Sequence, residues 1–127
     1  MLSEPLSFWG GVDPSNGRII DRRHPQAGET VRGKVVVMPS GRGSSSSSSV
    51  LAETIRAVTG PLAIILAEPD GILALGALMA SKLYGRTTPV VVVEEATYRS
   101  IRSGADIEIA PRGDEWVIIV DGERNRA

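Results

Sequence analysis

Cysteine is absent from this sequence, and aromatic residues are scarce. Without thiols the chain forms no disulfide, and it cannot hold zinc or an iron–sulfur cluster through cysteines of its own. Aromatic residues make up 4% of the chain, which leaves few rings on which nucleic-acid bases could stack. The formal net charge of −1 offers no basic footprint, so we expect no nucleic-acid partner.

Long hydrophobic runs are missing as well. The longest apolar stretches are too short to cross a bilayer, and the N-terminus, with Glu4 and Pro5, does not have the pattern of a signal peptide. We therefore expect a cytoplasmic protein without a membrane partner. The 127 residues are 42% hydrophobic and 23% charged, which are globular values and predict a single domain over residues 1–127.

Strand and helix patterns alternate along the chain, which predicts an α/β domain with a mixed, largely parallel sheet. Short apolar or alternating runs predict strands at 17–21, 34–38, 62–67, 89–93, 106–109 and 116–120. Apolar spacing and breaker residues predict helices at 46–58, 71–83 and 95–101.

The second predicted helix has the clearest boundaries. Asp70 is expected as its N-cap and Gly85 as its C-cap. Its residues are apolar on nearly every side, which predicts that the helix is buried. By contrast, the polar end of the chain, residues 122–127, is predicted to fray.

Six consecutive serines, Ser44 to Ser49, stand between a predicted strand and a predicted helix. Behind Gly41-Arg42-Gly43 they read as a glycine-rich turn that opens into a helix. The first N–H groups of a helix lack internal partners and the dipole is positive there, so such a turn favours an anionic ligand. A flexible linker is the structural alternative, but both flanks are core-type segments. Helix capping is the other structural explanation of the serines, but a cap needs only one serine. We predict a ligand site.

No other chemical motif fits. The glycines of the turn lack the third glycine of the dinucleotide fingerprint and the glycine–lysine pair of a P-loop. The single histidine, His24, is predicted to be an exposed loop residue. Its distance in sequence from the serines gives no support for a Ser–His–Asp arrangement.

Three segments together carry a resemblance to a known family: Pro5 to Pro14 (PLSFWGGVDP), Gly33 to Val50 and Ile64 to Gly76. They resemble the small subunit of the aconitase X family, and the resemblance covers nearly the whole chain. It implies an aconitase-like swivelling β/β/α domain that closes over a larger subunit. That large subunit is expected to carry an iron–sulfur cluster.

The resemblance also implies roles for the serine turn. Aconitase-type swivel domains present a Gly–Ser–Ser turn at a helix start, which corresponds here to Gly43, Ser44 and Ser45. Ser44, as an alkoxide, is implied as the catalytic base, with Ser45 supporting it. Arg42 is expected to bind substrate carboxylate or alkoxide charge. Replacement of the later serines, Ser47 or Ser49, by alanine is expected to be mild, because they lie further into the helix.

The aromatic and glycine residues of the first motif are expected to close the edge of the pocket. These residues are Phe8, Trp9, Gly10, Gly11 and Asp13. For Trp9, packing at the subunit interface is an equal alternative to contact with the substrate. Asp13 precedes Pro14 and is as easily explained as a turn former.

Dehydration of a hydroxy acid needs a base and a Lewis acid. Since this chain has no thiolates, we expect it to bind no cofactor and its partner to supply the cluster. The best match for a substrate is a cis-3-hydroxy-L-proline-like amino acid, because the family branch with that activity keeps a long serine run. A phosphorylated substrate would need more cations than Lys34 and Arg42.

Two alternatives stay open at this point. The chain could be the small subunit of a phosphomevalonate dehydratase, or a non-catalytic regulatory module that binds an anion at the serine turn. Members of the family usually have a further strand and turn before the Pro-Leu-Ser-Phe motif, whereas this sequence begins almost at the motif. A shortened edge strand is expected to expose hydrogen-bonding groups and to favour association.

Overall fold

The structure is a computed structural model and describes residues 2, 6–8, 10–41, 46–112, 115–120 and 123–126. The elements follow in this order: β1 (Val12–Asp13), β2 (Arg18–Ile19), β3 (Val35–Met38), α1 (Ser46–Arg56), β4 (Ala63–Leu66), α2 (Gly71–Tyr84), β5 (Val90–Val92), α3 (Glu95–Ser100), β6 (Ile107–Arg112), β7 (Glu115–Val120) and β8 (Glu123–Arg126).

A three-stranded parallel sheet lies at the centre, in the order β3-β4-β5. Its strands are continuous apolar runs because both faces of the sheet are covered. Alternate residues therefore enter two separate cores. Met38 and Leu66 belong to the core under the helices, whereas Val37, Ile65 and Val91 belong to the core on the other face.

Helices α1 and α2 cover the first face of this sheet, and their buried residues, such as Leu51 and Leu73, join its core. The antiparallel sheet β6-β7-β8 covers the second face through Ile118 and Val120. These layers confirm the predicted α/β class and its β/β/α arrangement. The antiparallel strands form a sheet of their own instead of extending the parallel one.

The C-terminal strand differs from the sequence prediction. Residues 123–126 form β8 and pair with β7, with Val117 opposite Arg126. The sequence predicts a frayed end there because the segment is polar. An edge strand that pairs on one side only tolerates such a composition.

The free edge of β3 is lined by the described part of the N-terminal segment. The backbone N–H of Leu2 donates to the carbonyl of Val37 at 2.7 Å, and Leu6 forms a parallel bridge with Gly41. The expectation that this edge is exposed is therefore wrong at these positions.

Helix α2 begins and ends as its capping residues predict. Asp70 Oδ1 accepts hydrogen bonds from the N–H groups of Ile72 and Leu73, and Gly85 adopts a left-handed φ of 65°. The prediction that α2 is buried is wrong. On this helix only Leu73, Gly76 and Ala80 are buried, because a single face meets α1 and the sheet.

The outer face of α2 is consequently apolar and exposed. Leu75, Leu78 and Leu83 are 49%, 53% and 66% exposed. Large apolar side chains grouped on one helix face are typical of surfaces that meet another protein.

His24 is also placed differently from its prediction. The residue is only 5% exposed, and its Nδ1 accepts a hydrogen bond from the Gln26 N–H at 3.1 Å. The imidazole therefore stabilises its own loop, and proximity to Pro25 in the sequence was a poor guide to exposure.

Candidate active site

The carboxyl ends of the parallel strands form one edge of the sheet. Most of the predicted site residues come soon after the first of these strands in the sequence. β3 ends at Met38 and β4 at Leu66, and helices α1 and α2 begin after the loops that follow them. In open α/β sheets, ligands bind outside this edge. The predicted residues Trp9, Arg42, Gly43, Ser44 and Ser45 lie outside the described residues, so their roles stay predictions. The residues on both sides of the 42–45 turn are described.

The chain leading into this turn is held at several points. The carbonyl of Pro39 accepts hydrogen bonds from the N–H groups of Ala67 and Glu68, each at 3.1 Å. The parallel bridge to Leu6 holds Gly41 from one side. From another side, the Asp70 carboxylate lies so close that a Cβ on Gly41 would overlap Oδ2.

The chain leaving the turn is also anchored. Ser47 is buried, and its Oγ lies 3.3 Å from Oγ of Ser7. Ser48 is buried against α2, where a Cβ on Gly76 would lie 2.7 Å from the Ser48 carbonyl oxygen. Ser49, in contrast, is exposed. The later serines therefore differ from one another, and two of them help to fix the start of α1.

The Ser7–Ser47 contact brings the first sequence motif to the start of α1. Immediately after Ser7 the chain turns through Gly10, which has a φ of 75°. A Cβ on Gly11 would overlap the Ser7 carbonyl oxygen, so this close turn requires glycine. The predicted site residues Gly10 and Gly11 thus lie in a turn that packs on Ser7, although no contact with a substrate follows from that.

Phe8 belongs to the core and not to an open pocket edge. It is fully buried and is part of the core under the helices. A large aromatic ring contributes a large apolar area on burial, which explains its presence in the motif. The predicted pocket role of Phe8 is wrong for this structure, since the side chain has no exposed surface.

Asp13 is a turn former at the far end of α1. Its Oδ1 accepts hydrogen bonds from the Ser15 N–H at 2.9 Å and from the Ser15 hydroxyl at 2.7 Å. These hydrogen bonds, from the hydroxyl above all, hold the pKa of the Asp13 carboxyl below its usual value. The next residue, Pro14, accepts a hydrogen bond from the hydroxyl of Thr59, which follows α1. Asp13 therefore does not reach the edge where α1 starts.

Negative charge predominates in the described part of the carboxyl edge. Glu68 and Asp70 follow β4, and Glu94 follows β5. Neither lysine nor arginine occurs in the described residues 39–41, 67–70 and 93–94. Lys34 precedes β3, so the length of that strand, roughly 13 Å, separates it from the serine turn. The sequence analysis counted Lys34 among the cations near the site only because few residues separate it from the serine run.

A cavity of about 440 Å³ lies at the opposite, amino edge of the parallel sheet. Its lining includes Lys34, Val35, Arg102 and Asp106. None of the described residues next to the serine turn lines it. This cavity and the described residues next to the serine run thus lie at opposite edges of the sheet.

The described residues offer no metal centre. Among them, no group of three or more histidine and carboxylate side chains could hold a metal ion, and the sequence has no cysteine. These residues therefore do not fit an iron–sulfur cluster. In the same part of the chain, no helix is long and apolar enough to cross a membrane.

A parallel sheet between two helices and an antiparallel sheet, with a Gly–Ser–Ser sequence between its first strand and α1, defines a layered β/β/α domain of the swivelling type. The family model of the aconitase X swivel domain matches residues 1–119, and the chain belongs to that family. The structure is similar to that of aconitase X from Thermococcus kodakaraensis. The TM-score is 0.70 and the identity 27%, over 98% of this chain and 82% of that one.

Two curated relatives share the domain in different settings. The cis-3-hydroxy-L-proline dehydratase of Pseudomonas aeruginosa is 51% identical over 90 residues, which are 71% of this chain and 16% of that protein. The phosphomevalonate dehydratase small subunit of Methanothermobacter thermautotrophicus is 49% identical over 78 residues, 61% of this chain and 60% of that one. This chain thus matches only a sixth of the length of the first relative.

Proposed function

We propose that this chain is the small, swivelling subunit of an aconitase X-type dehydratase that removes water from a cis-3-hydroxy-L-proline-like amino acid. Membership of the family and the dehydratase names of its relatives support the reaction class. The structural observation that carries the proposal is the contact between Ser7 and Ser47. It brings the Pro-Leu-Ser-Phe motif to the helix start that follows the Gly–Ser–Ser turn, at the edge where such sheets bind ligands.

In this proposal, Ser44 is the base. Its alkoxide takes the proton from the carbon next to the substrate carboxylate and becomes a neutral hydroxyl. The C–H electron pair forms a double bond to the neighbouring carbon, whose hydroxyl leaves as hydroxide with the C–O electron pair, so that the proton and the hydroxide together make up the water removed. A serine alkoxide is a strong base that needs stabilisation, which helix N-terminal N–H groups can provide. Ser45 and Gly43 support the turn, Arg42 binds the substrate carboxylate, and Trp9, Gly10 and Gly11 close the pocket edge.

A large subunit is the proposed partner, and this cytoplasmic complex is the proposed active form. The cluster belongs to that subunit in our proposal, because the sequence has no cysteine and the residues that the structure describes form no group that could hold a metal. The exposed leucines of α2 support such a partner: α2 starts at the same sheet edge as α1, so a subunit that completes the site can also cover Leu75 and Leu78.

The charge of the carboxyl edge supports an amino acid substrate over a phosphate ester. Glu68, Asp70 and Glu94 follow the parallel strands, and they would repel a phosphate dianion. A zwitterion presents a single carboxylate, which Arg42 can bind, together with an ammonium group that favours nearby carboxylates. Phosphomevalonate is the alternative substrate, because small subunits of phosphomevalonate dehydratases are also relatives of this chain.

The test is to purify the chain with its large subunit and to assay water elimination from cis-3-hydroxy-L-proline and from 5-phosphomevalonate. We expect the complex to act on the hydroxyproline and the isolated chain to be inactive. Activity on the phosphate ester alone would refute the substrate, and turnover by the isolated chain would refute the need for a partner. A stable complex without either activity would favour a regulatory, anion-binding module.

A further inference from the structure

The two carboxylate oxygens of Asp70 make different contacts. Its Oδ1 accepts hydrogen bonds from the N–H groups of Ile72 and Leu73, at 2.9 and 3.0 Å, and so caps α2. Its Oδ2 lies against Gly41, so near that any Cβ at position 41 would overlap it. Serine or asparagine would serve as well for the cap alone. The second oxygen thus makes a contact that capping does not require.

Gly41 is the last described residue before the serine turn. Its φ is not in the left-handed region, so the backbone conformation does not demand glycine there. The demand comes from space, since a Cβ at this position would overlap the Asp70 carboxylate and would lie 3.0 Å from Cδ1 of Leu73. Asp70 and Gly41 are therefore complementary in size.

We propose that Asp70 is a positioning residue for the active-site turn. By filling the space beside Gly41, its carboxylate fixes the position of the last described residue before the proposed base. The cap of α2 holds the carboxylate through Oδ1, so the position of Gly41 is tied to the start of α2. This proposal rests on the proposed function only for its kinetic consequence. The structural consequence, a less ordered turn when Oδ2 is removed, does not depend on any activity.

Asp70→Ser separates the contact with Gly41 from the capping of α2, because a serine hydroxyl can cap the helix but there is no second oxygen beside Gly41. In this variant we expect a melting temperature close to that of the unaltered chain, and amide hydrogen exchange at least about tenfold faster over residues 41–47. In the reconstituted complex we expect kcat to fall about tenfold or more with little change in KM, as misplacement of a reacting group does. Thr59→Val is the control, since it removes a hydrogen bond at the far end of α1.

A size-compensation experiment tests the pair directly. Gly41→Ala is expected to speed exchange over 41–47 and to lower kcat, because its Cβ collides with Oδ2. The double variant Gly41→Ala/Asp70→Ser is expected to recover much of both losses. Unchanged exchange over 41–47 in Asp70→Ser, or a double variant no better than Gly41→Ala, would overturn the proposal. If the unaltered complex is inactive, the proposed function fails, while the exchange measurements still decide this inference.

Discussion

The hydroxyl oxygens of Ser7 and Ser47 lie 3.3 Å apart, although 40 residues separate them in sequence. Ser47 is 2% exposed, so this contact lies at the edge of the core under the helices. It joins the two sequence segments that the resemblance to aconitase X depends on most. The start of α1 is thus held by the N-terminal motif.

Ser47→Ala is therefore expected to destabilise the domain by about 0.5–1.5 kcal/mol, the usual value for a lost side-chain hydrogen bond. Urea unfolding monitored by circular dichroism measures this. Ser49→Ala is the matched control, because Ser49 is exposed on the same helix and its loss should change little. The prediction from the sequence, that both changes are mild in kcat by comparison with Ser44→Ala, is unaffected, because the difference expected here is one of stability. Equal stability of the two variants would contradict this expected difference.

Ser44→Ala tests the proposed base. We expect kcat of the reconstituted complex to fall by about 10²–10⁴-fold, the range for loss of general base catalysis, with KM nearly unchanged. Folding and binding of the large subunit should persist. Steady-state kinetics on the purified complex is the measurement, with Ser49→Ala as control. Similar losses in both variants would show that the serine run acts structurally.

Charged substitutions on α2 test the partner surface. Leu75→Glu and Leu78→Glu are expected to prevent co-purification with the large subunit, because burial of a carboxylate opposes association. Circular dichroism should show an unchanged fold, since both side chains are exposed. Leu62→Glu is the control, being 62% exposed and located before β4.

If the leucine variants still bind the large subunit, the surface is misassigned. Analytical ultracentrifugation of the unaltered chain then decides whether the face mediates self-association instead. A dimer that both leucine variants abolish would assign it to a second copy of this chain.

Gly76→Ala tests the close approach of α1 and α2. An added Cβ would lie 2.7 Å from the Ser48 carbonyl oxygen and 3.1 Å from its Cα, both of them backbone atoms that cannot rotate away. We expect a loss of about 1–3 kcal/mol, as for overpacking in a core. Gly71→Ala at the start of the same helix has open space and should stay within about 0.5 kcal/mol. Thermal unfolding of the pair distinguishes the two; equal losses would contradict the packing argument.

Val58 offers a stabilising substitution. It has a φ of 59°, in the left-handed region just after α1, where a β-branched side chain is strained by about 1–2 kcal/mol. Val58→Gly removes the Cβ and is expected to raise the free energy of unfolding by about 0.5 kcal/mol after the entropy of glycine is counted. Val58→Ala keeps a Cβ and is expected to gain less. A higher melting temperature for alanine than for glycine would refute strain as the cause.

The sequence predicted those features that local chemistry determines. The ends of α2 follow from Asp70 and Gly85, because capping depends on residues within one turn of the helix end. The strands of the parallel sheet follow from continuous apolar runs such as 62–67. The serine turn is placed at a sheet edge for the same reason, since a strand precedes it and a helix follows.

Features that depend on distant parts of the chain were missed. The burial of His24 and Phe8 and the exposure of Leu75 and Leu78 depend on which elements pack together. The second contact of Asp70 has the same origin, because capping explains the residue completely from sequence alone. The glycine at position 41 was the available signal, but the sequence alone does not distinguish a close neighbour from a left-handed φ as the reason for a glycine.

Helix α1 is clamped at both ends by one continuous stretch of chain. Ser7 holds its first turn through Ser47, and the carbonyl of Pro14 accepts a hydrogen bond from Thr59, which follows the last residue of the helix, Arg56. A rotation of α1 relative to its sheet would break both attachments together. If the domain swings towards a partner during turnover, its flexible joint must lie beyond this clamp, and α1 then moves together with the N-terminal motif as one unit.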